Sequence, residues 1–307
     1  MPSLLDIKAR IKAVENIKKI TRAMQLVAAA KFNRAQNRAR SARPYAEELD
    51  SVLGILAAIS EDDPDIGADS TLRLSFVDDQ PPMQIELARL FDPAKIERPG
   101  IALFTSDRGL AGAFNTRLIR AAATFVTDHP EMDSRLITIG KKGHSYFKRR
   151  DIPIIHHEEG ISDKLELTQI KAISDKLVRL FVENEVDGIY LVYPKFHTAM
   201  KSDVTIEQFL SIPPIETEKM KDVYILEPDR RAVYETMIPL YATTKIFATF
   251  ADAFASEHGA RMVAMQLGTK NAEEMLEAQV ILRNRLRQAI ITKELAEIVG
   301  GSAGLSS

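Results

Sequence analysis

The chain of 307 residues contains no cysteine and no tryptophan. The first absence excludes disulfides, a thiolate metal site and a cysteine nucleophile. Aromatic residues make up 7% of the chain, and Phe32 is the sole aromatic between Lys8 and Arg43, where eleven Lys or Arg residues face one acid, Glu15. A single-strand nucleic-acid site built on stacked bases is therefore disfavoured. No run approaches the eighteen or so apolar residues needed to span a bilayer, and Met1–Arg10 lacks the apolar core of a signal peptide. Net charge is −2 at pH 7, so no global field argues for a nucleic-acid or membrane partner. Gly and Pro are missing between Thr269 and Val299.

That last absence shapes the C-terminal stretch. Apolar residues recur at Phe254, Met262, Met265, Ala272, Leu276, Leu282, Leu286 and Ala289, with Glu273, Glu277, Arg283 and Arg287 between them. The spacing predicts a helix from about Pro239 to Val299, stopped by Gly300 and Gly301, with Pro239 as a kink if it begins near Asp229. Such a helix would be roughly 90 Å long at 1.5 Å per residue, longer than a compact domain from the rest of the chain is wide. It must project. At the other end, Ser3 with Asp6 reads as an acidic capping box opening a helix from Ser3 to Ala58. Leu4, Ile7, Ile11, Val14, Ile17, Ile20, Met24 and Val27 form a narrow stripe, followed by small residues at Ala28, Ala35, Ala39 and Ala42. This is a coiled-coil seam, whose three-residue steps from Ile11 to Ile20 predict locally altered supercoiling. Pro44 is expected to kink or end its first part. Antiparallel pairing of the two terminal helices is the simplest topology.

Between them lies a linker-rich segment, Glu61–Pro99, with one strand at Thr71–Val77. Strands then follow at Ile101–Thr105, Leu136–Ile139, Ile152–Ile155, Gly188–Tyr193 and Val204–Ile212. Helices are read at Asn115–Thr127, Lys141–Arg150 and Lys164–Glu183, and a linker at Glu216–Glu227. The alternation predicts an α/β domain with a largely parallel sheet. The division expected is 1–58 for the first helix, 70–215 for the α/β domain and 228–301 for the last helix.

Three features invite chemistry. The loop Ser106–Asn115 sits between strand and helix, where phosphates bind, but lacks both the GxGxxG spacing and a P-loop ending. A tight turn with Asp107 or Asn115 capping the next helix is the favoured reading. Adjacent His156 and His157 read as surface loop residues, since neighbours on a strand cannot share one metal. His258 lies near the terminal stripe and reads as a packed histidine. The basic run of the first helix suits an acidic partner surface, with nucleic acid as the competing choice.

The opening LLDIKARIKAVENIKKITRAMQLVAAAKFNRAQ, the central TSDRGLAGAFN and the closing ASEHGARMVAMQLGTKNAEEMLEAQVILRNRLRQAIITKELAEIVGG closely resemble the γ subunit of F-type ATP synthases. The resemblance implies an antiparallel coiled coil of the two terminal helices plus a Rossmann-like α/β domain. It implies a rotor shaft threading a ring of three α and three β subunits, with its base on the membrane c-ring and the ε subunit bound there. Ion flow, proton-driven on this reading, would turn the shaft and cycle the catalytic β sites, for ATP synthesis or hydrolysis. No catalytic residue, metal or cofactor is implied for this subunit, and its place would be peripheral, on the cytoplasmic side of a bacterial inner membrane. By resemblance, partner contacts map onto Lys18, Lys19, Met24 and Arg261, and an upper contact onto Gln288, Thr292 and Glu294. The chain departs from the family pattern at Ala111 and Gly112-Ala113, where a Cys and a Gly-Gly are usual, and in its polar tail Ser302–Ser307. It has no cysteine-bearing insertion of the chloroplast type. A basic coiled coil binding nucleic acid and a nucleotide-dependent α/β enzyme are the alternatives.

Overall fold

The computed structural model describes residues 3–61, 71–77, 81–91, 96–212 and 227–305. Its elements are, in chain order, α1 (Leu4–Glu61), β1 (Thr71–Leu74), β2 (Met83–Glu86), α2 (Leu87–Phe91), β3 (Pro99–Phe104) and α3 (Phe114–Asp128). Then come β4 (Arg135–Ile139), α4 (Lys141–Phe147), β5 (Ile154–Glu158), α5 (Leu167–Val182), β6 (Gly188–Thr198), β7 (Lys201–Leu210) and α6 (Arg230–Leu305). They divide into two compact units, one made of 1–29 with 261–307 and the other of 30–260.

In the first unit, α1 and α6 pair through a seam. Ser3 caps α1 reciprocally: the Asp6 amide donates to Ser3 Oγ at 3.2 Å, and the Ser3 amide donates to Asp6 Oδ2 at 3.0 Å. Leu4, Ile7, Ile11, Val14, Lys18, Thr21, Gln25 and Ala28 of α1 are shielded at alternating steps of three and four, with Met24 and Ala29 half-buried at the flank of this seam. Ile17, Ile20 and Val27, assigned to the stripe from sequence, are 52%, 58% and 59% exposed. The altered supercoiling expected between Ile11 and Ile20 is thus not needed, because the seam runs through Lys18 and Thr21 and keeps the 3.5-residue repeat. On α6 the shielded positions include Met265, Thr269, Ala272, Leu276, Gln279 and Arg283, whereas Leu282 and Ala289 face outward. Lys18 Nζ meets Glu273 Oε1 at 3.1 Å, and Thr269 Oγ1 donates to Thr21 Oγ1 at 2.9 Å.

In the second unit the same helices continue antiparallel. Arg43 pairs with Asp252 at 3.0 Å, Lys245 with Asp50 at 2.6 Å, and the Tyr234 hydroxyl donates to the Leu56 carbonyl at 2.9 Å. As residue number rises along α1 it falls along α6, which is the expected topology. Gly259 permits the close approach: a Cβ there would lie 3.0 Å from the Ala199 carbonyl oxygen and 3.3 Å from Phe32. Pro44 neither ends nor interrupts α1, and α6 runs through Pro239 and past Gly300 and Gly301 to Leu305. Packing in the second unit overrides the two proline signals, each about 3 kcal/mol, and α6 continues through Gly300 and Gly301 at about 1 kcal/mol each. Asp229 caps α6, accepting from the Ala232 amide at 2.9 Å.

The central sheet has order β5-β4-β3-β6-β7, parallel except for β7, which runs antiparallel to β6. Every residue of β3 is buried, as befits the middle strand of a parallel sheet covered on both faces. Ile101 and Leu103 join Leu118, Ala122, Leu136 and Phe147 in one core on the α3 side. Phe104, one pleat away, meets Phe250 of α6 edge-on at 5.0 Å, so the terminal helix covers the opposite face. Several boundaries differ from the sequence reading. β6 runs on through Pro194 to Thr198, and β7 begins at Lys201, because the two strands form a hairpin that supplies the pairing. The strand read at 71–77 ends at Leu74 and pairs with β2, a four-residue strand behind Pro81 and Pro82 that the sequence reading missed. β5 starts at Ile154 and contains His156 and His157, which are strand residues rather than loop residues. The linker read at 216–227 lies outside the described residues except for Glu227.

Candidate partner-binding surface

The loop after β3 is closed on itself. Asn115 Oδ1 accepts from the Ser106 amide at 3.0 Å, its Nδ2 donates to Ser106 Oγ at 2.9 Å, and Ser106 Oγ donates to the Arg108 carbonyl at 2.6 Å. Asp107 caps a helix, but α4 rather than α3: its Oδ1 accepts from the Lys141 amide and its Oδ2 from the Gly160 amide, both at 2.9 Å. Asn115 sits inside α3 and braces the turn. The side chains of Ser106, Asp107 and Asn115 are therefore engaged in holding three loops together. At the carboxyl ends of β3 and β4, where a Rossmann-like sheet places its ligand, Phe250 and Phe254 of α6 lie against Phe104 and Ile139. The cavity left there is about 30 Å³, a tenth of the roughly 300 Å³ at which small-molecule pockets begin.

The basic run of α1 divides into two halves. Lys31 pairs with Asp163 at 2.8 Å, Arg38 donates to the Asp163 carbonyl, and Arg43 reaches Asp252 and the Phe196 carbonyl. Burial raises the Asp163 carboxyl, but Lys31 outweighs it and leaves the group below its ordinary value. His258, buried as expected, lies 3.7 Å from the same carboxylate. In the first unit, Lys8, Arg10, Lys12, Lys19 and Arg22 are exposed. Of the residues assigned by resemblance, Lys18 is half shielded against Glu273, Lys19 is exposed, Met24 is half-buried and Arg261 is buried. Gln288, Thr292 and Glu294 lie on a stretch of α6, 287–296, in which every residue is exposed. The structure does not bring these seven residues into one cluster: they are strung along two helices.

Sequence reasoning missed a buried ionic group in the second unit. Lys245, 8% exposed, lies 2.6 Å from Asp50 on α1 and 2.7 Å from Glu207 on β7, and the Tyr193 hydroxyl donates to Glu207 at 2.8 Å. Burial pulls the ammonium down, but the two carboxylates together hold Lys245 above its ordinary value. Burial pushes Asp50 up, against the pull of Lys245. For Glu207, burial is outweighed by Lys245 and Tyr193, and the group stays low. Burial, reinforced by Glu207, pushes the Tyr193 phenol up. The available signal was a lone lysine between Tyr241 and Phe250 in an otherwise apolar helix face.

Fold and surface together define a protein whose long terminal helices pair antiparallel and bracket a Rossmann-like α/β domain. The sequence matches the ATP synthase family model over residues 3–305. It is 36% identical over 306 residues to the ATP synthase gamma chain of Moorella thermoacetica, covering 99% of this chain and all of that one. It is 37% identical over 303 residues to the gamma chain of Solibacter usitatus, with 99% of each covered. The central stalk and c-ring structure of the Tetrahymena thermophila mitochondrial ATP synthase contains a chain of the same fold, with a TM-score of 0.58 at 20% identity over 80% of this chain and 98% of that one. A chain of the Euglena gracilis mitochondrial ATP synthase aligns with a TM-score of 0.65 at 16% identity, covering 98% and 94% respectively. This chain belongs to the ATP synthase gamma-chain family. Among the described residues no helix is long and apolar enough to cross a membrane.

Proposed function

We propose that the chain is the central rotor shaft of an F-type ATP synthase, coupling rotation of a membrane c-ring to conformational cycling of catalytic β subunits. The observation that carries this is full-length identity to ATP synthase gamma chains. Supporting it, α1 and α6 leave apolar side chains on the outer faces of the first unit, among them Ile17, Ile20, Leu26 and Ile281. The stretch of α6 after Leu286 exposes Ile290, Ile291 and Leu295. Exposed apolar side chains on a paired helix suit a sleeve that excludes water without locking onto the shaft. The functional division is 1–58, 70–215 and 228–301. The partners are three α and three β subunits around the helices, with ε and the c-ring at the α/β domain, on the cytoplasmic side of the inner membrane. Neither alternative gains from the geometry: four of the eleven basic residues, Lys18, Lys31, Arg38 and Arg43, are engaged internally, and Phe250 and Phe254 occupy the nucleotide position.

Co-expression with the cognate α and β subunits is expected to yield an active ATPase with one copy of this chain to three of each, by native mass. A chain that stays alone beside well-folded α and β would overturn the assignment.

Within this reading, Lys18 and Lys19 guide acidic loops of the β subunits. Charge reversal at both is expected to lower coupled ATPase activity several-fold, as for charge pairs at a working interface. Because Lys18 also holds Glu273, the variant is compared with one that adds Glu273→Lys. Activity restored by the swap assigns the effect to the internal pair and counts against guidance.

A further inference from the structure

The chain as a whole is slightly acidic, yet one face of the α/β domain is not. From Lys141 to Arg150 there are five Lys or Arg residues and no Asp or Glu. Lys141, Lys142, Lys148 and Arg149 are exposed, and no salt bridge engages any of them among the described residues. Tyr146, within this run, lines a groove of about 370 Å³ between α3 and α4, whose other walls are Thr116, Ile119, Arg120, Ala123, Thr124, Thr127 and Asp128 of α3. Thr116, Arg120, Thr124 and Thr127, at steps of four, four and three, form one exposed stripe along α3. At the other wall the Arg150 guanidinium lies 3.5 Å from the centre of the Tyr146 ring and donates to the Tyr146 carbonyl at 3.2 Å, which fixes a second cation beside the groove.

From this juxtaposition we infer that the α3–α4 groove docks an acidic segment of another protein chain, its carboxylates meeting Arg120 and Arg150 and its backbone the threonine hydroxyls. The chemistry selects this occupant. A bilayer surface would call for several exposed apolar anchors beside the cations; neither the groove lining nor α4 exposes a large hydrophobic residue, and Leu110, on the loop before α3, is a single one. Single-stranded nucleic acid would need open aromatic faces; Tyr146 is the lone aromatic lining the groove, and Arg150 covers it. Asp128 at the rim disfavours a free multivalent anion and sets the direction in which an acidic chain can lie.

The inference rests on the reading of this chain as a subunit of a larger assembly, and the test separates the two. A photo-crosslinking residue replaces Thr124 in the full chain, assembled into its purified complex. Intact assembly with a crosslink to an Asp- or Glu-rich segment of another subunit is expected, identified by mass spectrometry. Arg120→Glu with Arg150→Glu should cut the yield about tenfold, and the Lys pair at the same positions should retain it. Intact assembly with no crosslink, or a crosslink to a neutral or basic segment, overturns the docking inference and leaves the rotor reading standing. Failure of the complex to form counts against the rotor reading. In that case the isolated chain is titrated with a labelled Glu-rich peptide, with anionic vesicles and with single-stranded DNA. Binding of the peptide alone, lost in the double Glu variant, sustains the inference; preference for either of the others, or no binding, ends it.

Discussion

Lys245→Met will destabilise the second unit by roughly 3–5 kcal/mol, because it leaves two carboxylates facing each other without their cation. Asp50 and Glu207 retain 26% and 35% side-chain exposure, so water relieves part of the repulsion and the loss should fall near 3 kcal/mol. The triple variant with Asp50→Asn and Glu207→Gln should recover most of it, since amides impose no such charge. Urea denaturation followed by circular dichroism, with hydrogen exchange on β6 and β7, reads both. A Lys245→Met variant as stable as the parent would show the ion group to be dispensable.

Alkali offers an independent check with a fixed sign. Lys245 is raised in the folded chain, so its contribution is complete below the unfolded value, near 10.5, and is lost as pH rises through the folded value. Tyr193, also raised, acts in the same direction: above pH 10 the unfolded phenol ionises while the folded one does not. The parent should therefore lose stability above about pH 10, and Lys245→Met should lose it less steeply. Glu207 is held low, so its share is present at neutral pH and fades as pH falls through its folded value.

Gly140→Ala is the second large effect, expected at roughly 3–5 kcal/mol. Gly140 leaves β4 at φ 93° and ψ 147°, a conformation open essentially to glycine. A Cβ there would lie 2.0 Å from the Thr105 carbonyl oxygen, inside any possible contact, and that atom is backbone. The neighbourhood cannot yield. Thr105 donates its amide to Ile139 at 2.7 Å, Gly143 donates to Thr105 Oγ1 at 2.9 Å, and Gly140 donates to Glu158 at 2.8 Å. One methyl would thus strain the junction of β3, β4 and β5 with the start of α4. Gly160→Ala is the control, with φ at 76° and nothing within 4 Å of its added Cβ. It should cost about 1–2 kcal/mol for backbone strain alone. Equal losses at the two sites would show that conformation, not the contact with Thr105, governs Gly140.

Much of this protein was open to inspection in one dimension. Helical periodicity and the Ser3–Asp6 cap are local matters of spacing and hydrogen-bond chemistry, and they marked out both terminal helices, although α6 begins at Arg230 rather than at Pro239. The alternation of strands and helices fixed the parallel α/β domain, because buried strands and amphipathic helices carry different periods. Three motifs in order then identified the family. What the residues could not settle alone was which of several plausible stripes forms the seam. Ile17 and Ile20 look like core residues, yet Lys18 and Thr21 occupy the seam, because a coiled coil selects the 3.5-residue repeat over local hydrophobicity. Pro44, Pro239 and the Gly300-Gly301 pair signalled breaks of a few kcal/mol that pairing or continuity overrode. Asp107 could be read as a cap, but only the fold shows that it caps α4, thirty-odd residues away. The Lys245–Asp50–Glu207 group belongs wholly to tertiary structure. Its members are far apart in sequence, and each became buried only when α1, α6 and β7 met.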